Sequence, residues 1–194
     1  METKGEIYIS PKYQKDDYLR LKLALNSNQE KWNTAVEILR DRIYGRYFNQ
    51  IDMLSDDINA NGFTIMALNC LLIETLYQFK EGQDKTPSRQ NKKAYSDFLM
   101  QEFPDFNTKD IAESFYTDIR CGILHSAQTK NESRLSDREG FVVTFEGCTL
   151  VVSVKGVSSL LKTYFENYLQ KLSNASEVIL RRNFIKKMTF VCRR

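Results

Sequence analysis

The stretch DIRCGILHSAQTKN, residues 118–131, holds the only histidine in 194 residues, His125. Arg120 precedes it by five positions, across the short run CGIL. An arginine is charged at any physiological pH and offers a planar fork of donors matched to phosphate oxygens. A histidine takes and gives protons near neutrality, because its unperturbed pKa is ~6.5. Together they form a minimal kit for cleaving RNA. The ribose 2′-OH attacks the adjacent phosphorus, a base removes its proton, an acid protonates the leaving 5′-oxygen, and a cation holds the developing charge. The nucleophile belongs to the substrate, so this chemistry calls for no metal and no cofactor.

Two physical constraints follow. Five residues of straight α-helix turn through about 500°, which leaves Arg120 and His125 pointing roughly 140° apart. Gly122 is expected to loosen the helix between them, or the helix to end near His125; otherwise both side chains reach a groove from opposite flanks. One imidazole also cannot be base and acid at once. A two-fold homodimer supplies two histidines and two arginines to one composite cleft.

Other residues are candidates for support. Glu74 sits in the apolar segment NCLLIETLYQF. A buried carboxylate needs a partner, and Arg120 is a candidate that Glu74 would orient; the alternative is an exposed residue on a polar stripe with Gln78 and Lys80. Asp118 either tunes His125 or faces solvent. Ser126 and Asn131, with Gln128 and Thr129, offer small polar groups for phosphate or base edges. Cys121 has no second histidine to activate it as a nucleophile. The sequence contains no GxSxG, P-loop or GxGxxG motif.

The elements that must carry these residues are mostly helical. Only 3 Pro and 8 Gly argue against an all-β or disordered chain. A Ser27–Glu30 capping box opens a helix in which Trp32, Ala35, Val36, Leu39, Ile43, Tyr47 and Ile51 recur at helical spacing. SDDINANG (55–62) reads as a loop, and 63–82 as a central apolar helix. QDKTPSRQNKK (83–93) reads as a mobile connection. A short helix stops before Pro104, and Asn107 is expected to cap a helix over 107–126. TKNESRLSDREG (129–140) reads as a loop. FVVTFEGCTLVVSV (141–154) reads as a hairpin turning at EG (146–147), and helices follow over 156–173 and after NASE. The N-terminal DDYLRLKLAL alternates like a strand but is short enough for a helix. The expected architecture is mainly α: residues 1–26 an arm or short element, and 27–194 a single helical domain with an inserted β-hairpin near 141–154.

Charge is uneven. Residues 178–194 carry +6 without an acid, while the whole chain is only +3. A basic C-terminal helix suits a polyanion, and Arg181, Arg182, Lys186 and Lys187 are candidate RNA contacts; the alternative is a solvated helix face. The four cysteines contain no CxxC, and with one histidine they make a structural zinc site improbable. The N-terminus has no apolar signal core, and no run approaches the ~20 apolar residues of a membrane span, so a cytoplasmic protein without a membrane partner is expected.

Arg120, four residues, then His125, at the end of an amphipathic helix among other long helices, resembles the HEPN superfamily, whose signature is Arg, four to six residues, then His. The resemblance covers about residues 27–173 and is nearest to the stand-alone prokaryotic members. It implies a HEPN-like bundle and a metal-independent endoribonuclease, commonly homodimeric, in a toxin–antitoxin or antiviral-defence role. It also implies RNA as substrate and an antitoxin or nucleotidyltransferase as partner. Many active members carry a polar residue directly after the arginine. Here that position is Cys121, and inactive relatives act as nucleotide- or protein-binding modules.

Overall fold

The computed structural model describes residues 7–87 and 89–193. Helix makes up 66 % and strand 8 %, so the chain is mainly α with a small sheet. The helices are α1 (Lys15–Arg20), α2 (Gln29–Ile43), α3 (Asn49–Leu54), α4 (Ile58–Glu81), α5 (Asn91–Glu102), α6 (Lys109–Ser114), α7 (Cys121–Ser126), α8 (Val154–Ser173) and α9 (Val178–Val191). Single π-helical turns occupy Tyr44–Phe48 and Phe115–Arg120. The strands are β1 (Arg134–Ser136), β2 (Val143–Glu146) and β3 (Thr149–Ser153).

The chain divides into two compact units. One holds 7–50, 78–84 and 165–193 of the described residues. Phe184 on α9 is its centre, with Trp32, Tyr18 and Phe79 rings 6.0–6.2 Å away. The side chain of Asn28, not Ser27, caps α2 by accepting from Lys31 N at 3.1 Å. Ser27 closes the preceding turn instead, accepting from Ala24 N. The leucine alternation does not make a strand: Lys15–Arg20 is helical and buries only Tyr18, while Leu19 and Leu25 are exposed. A Cβ on Gly45 would fall 2.2 Å from Pro11 Cγ, so the N-terminal segment packs where no larger residue fits.

Two of the four expected RNA contacts are corrected here. Arg181 is buried, 4.1 Å above the Trp32 ring, and donates to the carbonyls of Leu172 and Ser173 at 3.0 and 2.8 Å. It thereby satisfies the unpaired carbonyls at the end of α8. Lys187 is buried too, with Nζ donating to Gln78 Oε1 and the Asp84 carbonyl. Arg182 and Lys186 remain exposed.

The second unit holds 51–77 and 85–164, including all the candidate chemistry around Arg120. The 55–62 stretch is not a loop. Ser55–Asp57 forms a 3₁₀ turn and α4 starts at Ile58. Its turn-forming residues act as caps within a continuing helix: Asp57 Oδ1 accepts from Ala60 N and Asn61 Nδ2 donates to the Leu54 carbonyl. Within 29–81 an 18-residue window has mean hydropathy 1.2, apolar enough by composition to cross a membrane, which corrects the expectation that no run comes near this; 56 % of it is buried, as in a core helix. The β2–β3 hairpin forms as expected, turning one residue later at Gly147–Cys148 between the paired Glu146 and Thr149. β1, read from sequence as loop, pairs parallel to β3 and gives the order β1-β3-β2. Phe98, Phe103, Phe106, Phe115 and Tyr164 interlock at ring distances of 5.1–5.7 Å beneath α5–α7.

The burial of Arg181 predicts a split between adjacent residues. Arg181→Ala loses charged hydrogen bonds and should cost about 2–3 kcal/mol of stability, whereas Arg182→Ala should leave thermal unfolding unchanged. Urea denaturation of the two variants checks this; equal stabilities would contradict it.

Candidate active site

Arg120 ends a π-turn. The N–H of Cys121 bonds back to Tyr116 O, five residues earlier, where an α-helix would reach four. At the start of the turn the Thr117 hydroxyl donates to Glu113 O at 2.8 Å, competing with the regular ladder. The wider turn rotates Arg120 and everything after it relative to α6. Thr108, rather than Asn107, caps α6 through a bond from Ile111 N.

The guanidinium is surrounded. Its Nη2 donates to Glu74 Oε2 on α4 at 3.0 Å. Nη1 lies 3.3 Å from His125 Nε2 and 3.9 Å from Cys121 Sγ. Its Cζ stands 5.4 Å from the Tyr116 ring centroid, and its Nε is buried without a hydrogen-bond partner. The paired reading of Glu74 therefore holds. The carboxylate's other oxygen accepts from Thr86 Oγ1 at 2.9 Å. Burial works against the charge on Arg120, but the hydrogen bond and charge of Glu74 outweigh it and hold the guanidinium above its ordinary range.

Arg120 meets His125 despite the helix between them being α. The long arginine side chain closes the gap, bringing Nη1 to 3.3 Å from Nε2. A guanidinium only donates, so this contact is a hydrogen bond when Nε2 carries no proton. His125 and Ser126 are exposed. The arrangement has a half-buried anchor at Glu74 and an accessible imidazole. Two open cavities of about 700 and 520 Å³ in the same unit are lined by other residues.

Gly122 does not loosen the helix. α7 ends at Ala127 in the left-handed conformation, φ +53°, and the chain folds back over Gly122. A Cβ at 122 would stand 2.4 Å from the Gln128 carbonyl oxygen. The returning loop is pinned from below by Asp118, which neither faces solvent nor touches His125. Asp118 is buried and accepts from Asn131 Nδ2 at 2.8 Å and Ser133 Oγ at 3.1 Å. Asn131 is thus committed to the loop, with its backbone at φ +50°, and its amide is not directed at a substrate.

No family model matches the chain, and neither does any curated protein or solved structure.

The neighbouring thiol and phenols are held neutral. Burial pushes the Cys70 thiol up to about 12, against the Tyr95 hydrogen bond and the Arg120 charge, which both pull it down. Tyr95 is raised by burial beside Cys70, and Tyr116 by burial and Cys121. Thr86 and Ser133 are the contributors that sequence reasoning passed over. Thr86 lay in a connector read as mobile, and its only signal was a hydroxyl followed by Pro87.

Alanine in place of glycine usually stabilises a helix by up to ~1 kcal/mol. At 122 the contact with a backbone oxygen reverses the sign, so Gly122→Ala should cost about 1–3 kcal/mol, read as a fall in Tm of about 2–4 °C per kcal/mol. A rise in Tm would show that the loop is not held against the helix.

Proposed function

We propose that the chain is a metal-independent endoribonuclease of HEPN type, with a HEPN-like helical bundle and a composite active site shared by two copies. The observation that carries this reading is the 3.3 Å approach of Arg120 Nη1 to an exposed His125 Nε2, with the guanidinium anchored from behind by Glu74. An RNA phosphate docking on Arg120 takes over the donors now spent on Nε2 and Sγ. The freed imidazole removes the 2′-OH proton, and His125 of the second copy protonates the leaving 5′-oxygen. Arg120 stabilises the charge on the phosphoryl oxygens. Unstacked, single-stranded RNA is the substrate, because in-line attack requires a splayed nucleotide. Arg182 and Lys186 contribute phosphate contacts. Ser126, exposed beside His125, contacts the bound strand.

Support for the second copy comes from α4. Residues 58–73 contain no charged side chain, yet Phe63 and Leu71 on that helix are 46 % and 42 % exposed. Exposed apolar groups on the uncharged stretch of α4 that leads to Glu74 suit burial against another protein. A toxin or phage-defence role in the cytoplasm, with an antitoxin or nucleotidyltransferase partner, completes the reading.

One observation favours a second reading, a HEPN-type nucleotide- or protein-binding module without catalysis. Cys121 Sγ lies 3.9 Å from Nη1, at the position where many active members carry a polar side chain.

Purified protein incubated with RNA in EDTA separates the two. The nuclease reading expects cleavage that persists in EDTA and falls by about 10²–10⁴ in His125→Ala, with far-UV circular dichroism unchanged. RNA binding without cleavage would select the binding module.

A further inference from the structure

We propose that Thr86 is a positioning residue of this site: its hydroxyl fixes the carboxylate that fixes Arg120. The inference rests on the nuclease reading for its consequence in turnover, but its geometry stands independently. Thr86 Oγ1 donates to Glu74 Oε1 at 2.9 Å, Glu74 Oε2 accepts from Arg120 Nη2 at 3.0 Å, and Arg120 Nη1 meets His125 Nε2 at 3.3 Å. Four side chains from three separate segments thus form one chain of contacts ending at an exposed imidazole.

The physical need is specific. The terminal torsion of a glutamate is broad and nearly two-fold, so a carboxylate with one partner swings between orientations. A donor on Oε1 removes that freedom and leaves Oε2 aimed at Arg120. The hydroxyl is itself held in place by backbone chemistry. Pro87 follows it, and a residue before proline is driven out of the helical region toward an extended conformation. Behind the pair lies a small void lined by Glu74, Tyr77, Thr86, Asn91, Tyr95 and Tyr116. The Thr86–Glu74 and Glu74–Arg120 bonds are part-buried, which gives them more weight than fully exposed hydrogen bonds carry. The connector after α4 is therefore a wall of the site, not a passive tether.

The test compares Thr86→Val, which keeps the shape and removes the donor, with Thr86→Ser, which keeps the donor. Thr86→Ala replaces the valine variant if that one does not fold. Losing one hydrogen bond should lower kcat by about 3- to 10-fold with little change in KM, and serine should restore it. The second readout needs no substrate. Arg120 Nε–H is buried without a partner, so its ¹H–¹⁵N signal in arginine-labelled protein should exchange slowly with water and exchange faster in Thr86→Val. If the wild-type protein cuts no RNA, the nuclease reading fails while the exchange measurement still decides the clamp. Unchanged exchange in Thr86→Val, or failure of serine to restore what valine loses, overturns the proposal.

Discussion

A guanidinium withdrawn from water must have its charge and its donors answered by the protein, and at the candidate site the Glu74 carboxylate does this for Arg120. Arg120 is largely buried and pairs with Glu74, itself only 24 % exposed at the side chain. Removing either partner would leave the other charge uncompensated in a poorly solvated place. The pair does more than survive burial. It turns one face of the guanidinium inward to the carboxylate and leaves Nη1 at the edge of the protein, against His125. Every other feature near the site either brings Glu74 and Arg120 together or keeps His125 accessible beside them.

Local backbone irregularities serve the same end. The π-turn at Phe115–Arg120 sets the rotation of Arg120 after α6. The left-handed Ala127 ends α7 two residues beyond His125, so the imidazole sits where the helix stops and solvent begins. Asp118, Asn131 and Ser133 then hold the returning loop against Gly122. None of these residues touches the imidazole. Their role is to make the exit from the helix rigid, which keeps a surface histidine in one place without covering it.

Much of this was legible from residue types and spacing. The apolar periodicity of α2, α4 and α8 marked the long helices, and the β-branched run at 141–154 marked the hairpin. Glu74 stood out because a carboxylate in an apolar helix needs a counter-charge, and the one found is Arg120. Other parts were hidden for physical reasons. Asn and Asp both break and cap helices, so 55–62 looked like a loop and proved to be a helix junction. β1 is three residues long and pairs with a strand thirteen residues downstream of its end, a contact that no local pattern announces. Arg181 and Lys187 looked like surface charge because their acceptors are mostly backbone carbonyls, invisible in a list of side chains, and their long aliphatic stems tolerate burial. Asp118 had the same difficulty: its partners lie across a turn whose left-handed residues, Asn131 and Glu132, are not glycines.

The central claim is that Arg120 and His125 direct a 2′-OH attack on the adjacent phosphorus, and the chemistry of the cut ends reports on it most directly. RNA cleaved by the purified protein in EDTA should carry 2′,3′-cyclic phosphate and 5′-hydroxyl ends. Ends bearing 3′-hydroxyl and 5′-phosphate, or cleavage that appears only when a divalent metal is added, would contradict the account.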